Sequence, residues 1–420
     1  MTNSPKRQPL LTSPSERRLK PLHYYLGGTG AWYLSHGIQG VTFAWLLTIE
    51  LQLEPGLVGI AQMALMLPAL LLMLVGGSIA DHFGGKPVAV ATQAAAALGP
   101  VYLIVLLMVD GLSYVTIVGF ALYAGCVQAI VTPARDGLLA LVADGRLQRR
   151  VMQVSMAQWG LQMVGFVLAS NADTIGPEPV LGVQVVVLLC GAFFLARLKL
   201  PMLATAPSAP TLRSLAAGVM EGFQTVRASP YMSAVAQQNV AMGMFFMGTY
   251  MVTIPVLIRD VYDGTSAQLS WVNAANSGGL VLVVALLYRL GDVSRQGRAL
   301  LASQLVAACA LGSVGLGMPF AGAVAGICAW GMCGGITMTM SRTIMQEHAP
   351  ADQRARIMAF YSFSFMGAGP IGALFNGYLV DWLGPQQAIV VSSSLMFLVI
   401  GIITLRSRLW SLEGHHGVKP

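Results

Sequence analysis

PGLVGIAQMALMLPALLLMLVGGSIADHFGGK, residues 55–86, sets an uncharged run from 55 to 80 against a short polar turn. A helix needs about 20 apolar residues to cross the hydrocarbon core of a bilayer. Residues 55–80 therefore read as a membrane span that stops where Asp81 and Lys86 begin. The same pattern recurs along the chain. Runs free of Asp, Glu, Lys and Arg cover 21–49, 87–109, 111–134, 151–172, 179–196, 228–258, 264–288, 299–341, 357–380 and 382–405. The run 299–341 is long enough for two spans, with Gly317-Met318-Pro319 as the hairpin between them. Twelve spans result. In lipid each backbone N–H and C=O must be satisfied inside its own segment, so these runs are expected to be helices; a barrel would show short alternating strands.

Composition agrees. Of the 420 residues, 55% are hydrophobic and 10% charged, against roughly 25% charged in soluble domains. Cys126, Cys190, Cys309, Cys328 and Cys333 all fall in expected spans and read as packing residues, with no zinc-like spacing. Neither a cofactor nor nucleic acid is expected. Residues 1–20 carry five basic residues and no short apolar core before a cleavage site, so no cleaved signal is expected.

With the N-terminus cytoplasmic, 23 of the 24 Lys and Arg residues fall on the cytoplasmic side and only Arg259 falls outside. This positive-inside bias sets the expected orientation, with both termini cytoplasmic. It places Arg135 at the cytoplasmic end of span 4 and leaves no Asp, Glu, Lys or Arg in mid-span. The expected organisation is a tail at 1–20, a six-helix half at 21–197, a linker at 198–229, a second half at 230–405 and a tail at 406–420. The linker holds Pro201, Pro207 and Pro210 and an amphipathic stretch from Leu212 to Val226. A faint duplication supports two halves: Arg149-Arg150-Val151-Met152 before span 5 parallels Arg354-Ala355-Arg356-Ile357-Met358 before span 11.

After span 2 stands Gly77-Ser78-Ile79-Ala80-Asp81-His82-Phe83-Gly84-Gly85-Lys86. This resembles the 2–3 loop motif of the major facilitator superfamily, Gly-x-x-x-Asp-x-x-Gly-Arg-Lys/Arg. Gly77, Asp81, Gly84 and Lys86 match, and Gly85 departs from the pattern. The resemblance implies an all-α integral membrane protein of twelve helices in two six-helix halves, working by alternating access. It also implies gating roles for Gly77, Asp81, Gly84 and Lys86, joined by Arg149, Arg150, Arg354 and Arg356 at the equivalent junctions. The copy of the motif around Gly291–Arg298 is degenerate. The helix 5 antiporter motif ending Gly-Pro is absent, although span 11 carries Gly367-Ala368-Gly369-Pro370-Ile371-Gly372. The chain as a whole is most similar to bacterial siderophore and multidrug exporters of the enterobactin-exporter type.

In that fold the substrate site lies near the midplane, between the halves. Trp32, His36, Gln39 and Phe43 share one face of span 1. Gln62 in span 2, Gln128 in span 4, Gln158 and Gln162 in span 5, Gln238, Asn239 and Phe246 in span 7, and Asn273 and Asn276 in span 8 complete the candidate set. Any single amide could instead hydrogen-bond a neighbouring helix. Aromatics, methionines and amides without a fixed counter-charge suit a bulky amphipathic solute such as a siderophore or drug. Export is favoured. The alternative is import of a small polar metabolite or flipping of a lysolipid on the same fold. An enzyme is disfavoured, because no nucleophile–base set occurs in the spans. If protons are the coupling ion, His36, Glu50 and Asp136 are the candidate carriers. Small-molecule substrate and membrane lipid are the expected partners, and a monomer in a bacterial inner membrane the expected setting.

Overall fold

A computed structural model describes residues 21–142, 147–199, 212–290, 293–350 and 353–412. The tail 1–20, most of the proline-rich part of the linker and residues 413–420 lie outside the described residues. The helices follow the uncharged runs. In chain order they are α1 (Pro21–Trp45, continued by a π turn Leu46–Glu50), α2 (Pro55–Phe83), α3 (Gly85–Met108, broken at Ala97) and α4 (Tyr114–Val142). Then come α5 (Leu147–Ala169), α6 (Pro177–Arg197), α7 (Pro230–Tyr262), α8 (Ser266–Leu290) and α9 (Gln296–Val314). Last are α10 (Phe320–His348), α11 (Arg354–Met366 with Ala368–Leu383) and α12 (Pro385–Arg406). A linker helix, Leu212–Ala228, lies between α6 and α7.

Among the described residues nine of these helices are long and apolar enough to cross a membrane. The other three, α1, α5 and α11, are richer in polar and small residues or are broken, as helices facing a polar interior would be. Local chemistry fixes the ends. Proline stands in the first turn of α2, α6, α7 and α12, where its missing N–H costs no helical hydrogen bond. Gly84 turns the chain between α2 and α3 with φ of 88°, a left-handed conformation that glycine takes without a steric penalty.

Packing repeats with a period of six helices. α2 packs on α4 as α8 does on α10; α1 packs on α5 and α6 as α7 does on α11 and α12; α3 packs on α4 as α9 does on α10. The two halves meet chiefly along α2–α11 and α5–α8. Small residues let α2 and α11 come close: a Cβ at Gly59 would lie 2.7 Å from the carbonyl oxygen of Ala373, and one at Gly377 would lie 2.8 Å from that of Pro55. Close backbone approach of this kind is a main source of helix association in lipid.

Candidate substrate cavity

A cavity of about 150 Å³ opens between the halves, at the middle of the helices. From α1 it takes His36, Gln39, Gly40 and Phe43; from α2, Gln62, Leu65, Met66, Ala69 and Leu70. Gln128 of α4, Met247 and Met251 of α7, and Phe365 and Met366 of α11 close it. Behind its α1 wall a smaller pocket of about 20 Å³ lies among α1, α3, α4 and α6. Trp32, Ser35, Phe120 and Tyr123 line that pocket, and it shares His36 and Gln39 with the larger one.

The helical stripe on α1 therefore meets the cavities as one face, because residues three and four apart stack on the same side of a helix. α7 reaches the cavity through irregular backbone: Met242–Met247 and Thr249–Thr253 are π turns. Such bulges leave backbone groups seeking partners, and Asn376 of α11 supplies them. Asn376 is fully buried. Its Oδ1 accepts from Thr249 Oγ1 at 3.0 Å, Thr253 Oγ1 at 3.2 Å and Ser392 Oγ at 3.1 Å. Its Nδ2 donates to the carbonyls of Met244 at 3.2 Å and Gly372 at 2.9 Å. One amide thus ties α7, α11 and α12 together.

Of the sequence candidates, His36, Gln39, Phe43, Gln62 and Gln128 line the larger cavity and Trp32 the smaller. Gln62 also crosses between the halves, its Nε2 donating to the Met251 carbonyl at 3.1 Å while its Oε1 stays without a partner. The remaining candidates lie outside both linings. Gln238 and Asn239 are buried, and Asn239 Nδ2 donates to Ser364 Oγ at 3.4 Å. Phe246 packs edge-on against Trp330 at 5.6 Å between ring centres. Asn273 accepts the Tyr250 hydroxyl and donates to the Leu269 carbonyl. Gln158, Gln162 and Asn276 are half-buried on α5 and α8. Among the gating candidates, Lys86 is half-buried in the first turn of α3. The side chains of Asp81, Arg149, Arg150, Arg354 and Arg356 lie outside the described residues. Of the carboxylates considered for proton coupling, Glu50 is exposed at the far end of α1 and Asp136 is exposed on α4.

Arg135 extends span 4 beyond the uncharged run 111–134. It sits inside α4, not in the loop that follows, and is 2% exposed. Its guanidinium lies 4.7 Å from the ring centre of Tyr33 and 5.4 Å from that of Trp32. Its Nη2 donates to the Tyr33 hydroxyl at 3.3 Å, while Nε and Nη1 find no partner. A planar, weakly hydrated guanidinium can bury itself by stacking on aromatic faces. Reading spans from uncharged runs ended span 4 at this charge, seven residues before the helix stops at Val142.

Hydrogen bonds from one half to the other, among the described residues, gather at the end that carries the 1–2, 5–6 and 7–8 connections. Asp173, in the 5–6 connection, accepts across the halves from the backbone N–H of Ser266, the first residue of α8, and within its own half from Trp45 Nε1 at 2.7 Å. Ser266 Oγ in turn donates to the Ser170 carbonyl at 3.1 Å. Nearby, Arg259 of α7 donates to the carbonyl of Leu53 at 2.7 Å and that of Thr48 at 3.3 Å, and pairs with Asp260 at 2.5 Å. The cavity is therefore latched shut at this end.

Two repeated six-helix halves around a midplane cavity are matched by sequence comparison. The Major Facilitator Superfamily profile matches residues 26–373 and again 239–410. The chain belongs to the Major Facilitator Superfamily. Among curated relatives, the multidrug efflux pump Tap of Mycolicibacterium fortuitum is 26% identical over 386 residues, which is 88% of this chain and 91% of Tap. Solved structures share the fold at low identity. An auto-inhibited POT family peptide transporter superposes with a TM-score of 0.73 at 11% identity, over 95% of this chain and 98% of that one. The nucleoside transporter NupG gives 0.68 at 11% identity, over 92% and 99%. The chain is thus a multi-pass membrane transport protein and not an enzyme.

Proposed function

We propose that the chain exports a bulky amphipathic solute, such as a drug or siderophore, by alternating access across a bacterial inner membrane. The lining of the cavity carries this reading. It pairs Phe43, Phe365 and four methionines with only His36, Gln39, Gln62 and Gln128 as polar groups. Flexible thioethers and aromatic faces adapt to varied apolar bodies, and a few amides hold a polar head. Likeness to a protein described as a multidrug efflux pump supports the same direction.

Orientation follows from the positive-inside count: both termini and the 198–229 linker cytoplasmic, and the latched end outside. The state described is then closed to the outside. Asp81, Lys86 and the paired arginines would latch the opposite end in the alternate state. Protons are the proposed coupling ion, with His36, Glu50 and Asp136 as carriers. The protein acts as a monomer, in halves bounded at 21–197 and 230–405.

The test is transport in reconstituted vesicles and whole cells, with and without an imposed proton gradient. Gradient-driven removal of amphipathic dyes from cells supports export. Accumulation of a small polar metabolite, or movement of a lysolipid between leaflets, would replace this reading with import or flipping.

A further inference from the structure

Charge near the cavity bears on which amphipaths it takes, and the inference rests on the exporter reading above. No carboxylate lines the larger cavity among the described residues. One ionic side chain stands behind its wall. Arg135 stacks on Trp32 and Tyr33, and Trp32 lies one helical turn before His36, which lines both cavities. Two guanidinium nitrogens of Arg135 lack a partner, and it makes no ion pair among the described residues. Buried charges are normally paired, and an unpaired one keeps its field in the low-dielectric interior. Asp136 is its chain neighbour and lies within range of its charge, but it is exposed and makes no ion pair with it, so solvent screens its counter-charge. Glu50 lies at the far end of α1.

We propose that this cavity accepts neutral and anionic amphipathic solutes and rejects lipophilic cations, with Arg135 as the specificity-determining residue. Its positive field falls on the α1–α4 wall, where the solute's polar head would meet His36, Gln39 and Gln128. At about 10 Å and an effective dielectric near 20, one unit charge acting on another is worth about tenfold in affinity. The preference is not what the lining alone would give. Phe43 and Phe365 offer aromatic faces, which taken by themselves attract cations.

The experiment uses the full chain in nanodiscs and vesicles with three probes sharing one aromatic body. Their heads are a quaternary ammonium, an alcohol and a carboxylate. Wild type should bind the ammonium at least tenfold more weakly than the alcohol, and the carboxylate at least as tightly as the alcohol. Arg135→Gln should bring the three affinities within about threefold, while Arg135→Lys, which keeps the charge, preserves the order. Gln128→Glu, which puts a carboxylate on the wall without touching the Trp32–Tyr33 stack, should reverse the order. It also serves if Arg135→Gln does not fold. Ammonium binding by wild type as tight as that of the alcohol, or an unchanged order in a folded Arg135→Gln, overturns the proposal. If wild type binds and transports none of the three, the amphipath-exporter reading itself fails, and the charge preference with it.

Discussion

Asp173→Ala should unlatch the closed end. Two interactions disappear with the carboxylate: the indole N–H of Trp45 at 2.7 Å and the first amide of α8, at Ser266. Hydrogen bonds to a charged group contribute about 1.5–3 kcal/mol each when shielded, and loss of a helix N-cap about 0.5–2 kcal/mol. Asp173 is exposed, so solvent screening puts both at the low end. The expected total is about 1–2 kcal/mol. Only the Ser266 bond joins the halves, since Trp45 lies in the same half as Asp173, so only its share, about 0.5–1 kcal/mol, biases the equilibrium between states. That bias corresponds to roughly a 2- to 5-fold rise in the open-to-closed ratio. Asp173→Asn keeps one acceptor and should shift it less.

The assay is electron–electron distance measurement between spin labels at Met108→Cys and Leu316→Cys, in a background lacking the five native cysteines. Both positions are exposed, on the 3–4 and 9–10 sides of the same end. A longer-distance population should grow in Asp173→Ala and grow further when Arg259→Gln is added, because Arg259 holds the Leu53 and Thr48 carbonyls independently. A distance distribution that stays the same in the double variant would refute the latch.

Four further outcomes are expected. Gly59→Leu should part α2 from α11, since even a Cβ there meets the Ala373 carbonyl oxygen at 2.7 Å; cysteine cross-linking between the outer ends of these helices would fall while expression is maintained. Asn376→Leu leaves buried hydroxyls and carbonyls unpaired, at about 1–3 kcal/mol per stranded group; thermal unfolding in detergent should begin several degrees lower, and an unchanged transition would deny the residue its tying role. His36→Gln should retain solute binding but remove the response of transport to an imposed pH gradient; a preserved response directs attention to Glu50 and Asp136. Asp81→Asn should insert normally yet transport poorly, and full transport by a well-expressed variant would count against a gating role.

The helices were legible in the sequence because lipid imposes one rule on every span: an uncharged run of about 20 residues. Details that break that rule locally were not. The burial of Arg135 at the cytoplasmic end of span 4 was not legible, because a charge count cannot see Trp32 and Tyr33, which come from α1 more than a hundred residues earlier. The break of α11 at Gly367 lies in a glycine-rich stretch that also fits a continuous close-packed helix. The π turns of α7 are bonded to Asn376, whose partners come from three helices. Asn376 itself stands alone in an apolar segment and carries no pattern.

Mid-membrane amides show where sequence reasoning has to stop and packing has to decide. Gln93 donates to the Gly28 carbonyl at 3.0 Å, and Gln184 to Ser35 Oγ at 3.2 Å. These two bind one helix to another. Gln39 and Gln128 instead face the cavity, and Gln62 does both, spending its donor on Met251 and leaving its acceptor open. All five are the same residue type in the same kind of helix. What separates them is whether a neighbouring backbone carbonyl or hydroxyl lies within about 3 Å, which the spacing along one helix cannot tell. An amide in hydrocarbon costs several kcal/mol until it finds a partner. Among the described residues, Gln62 is the cavity-lining amide whose oxygen is buried without a partner, so it carries part of that cost.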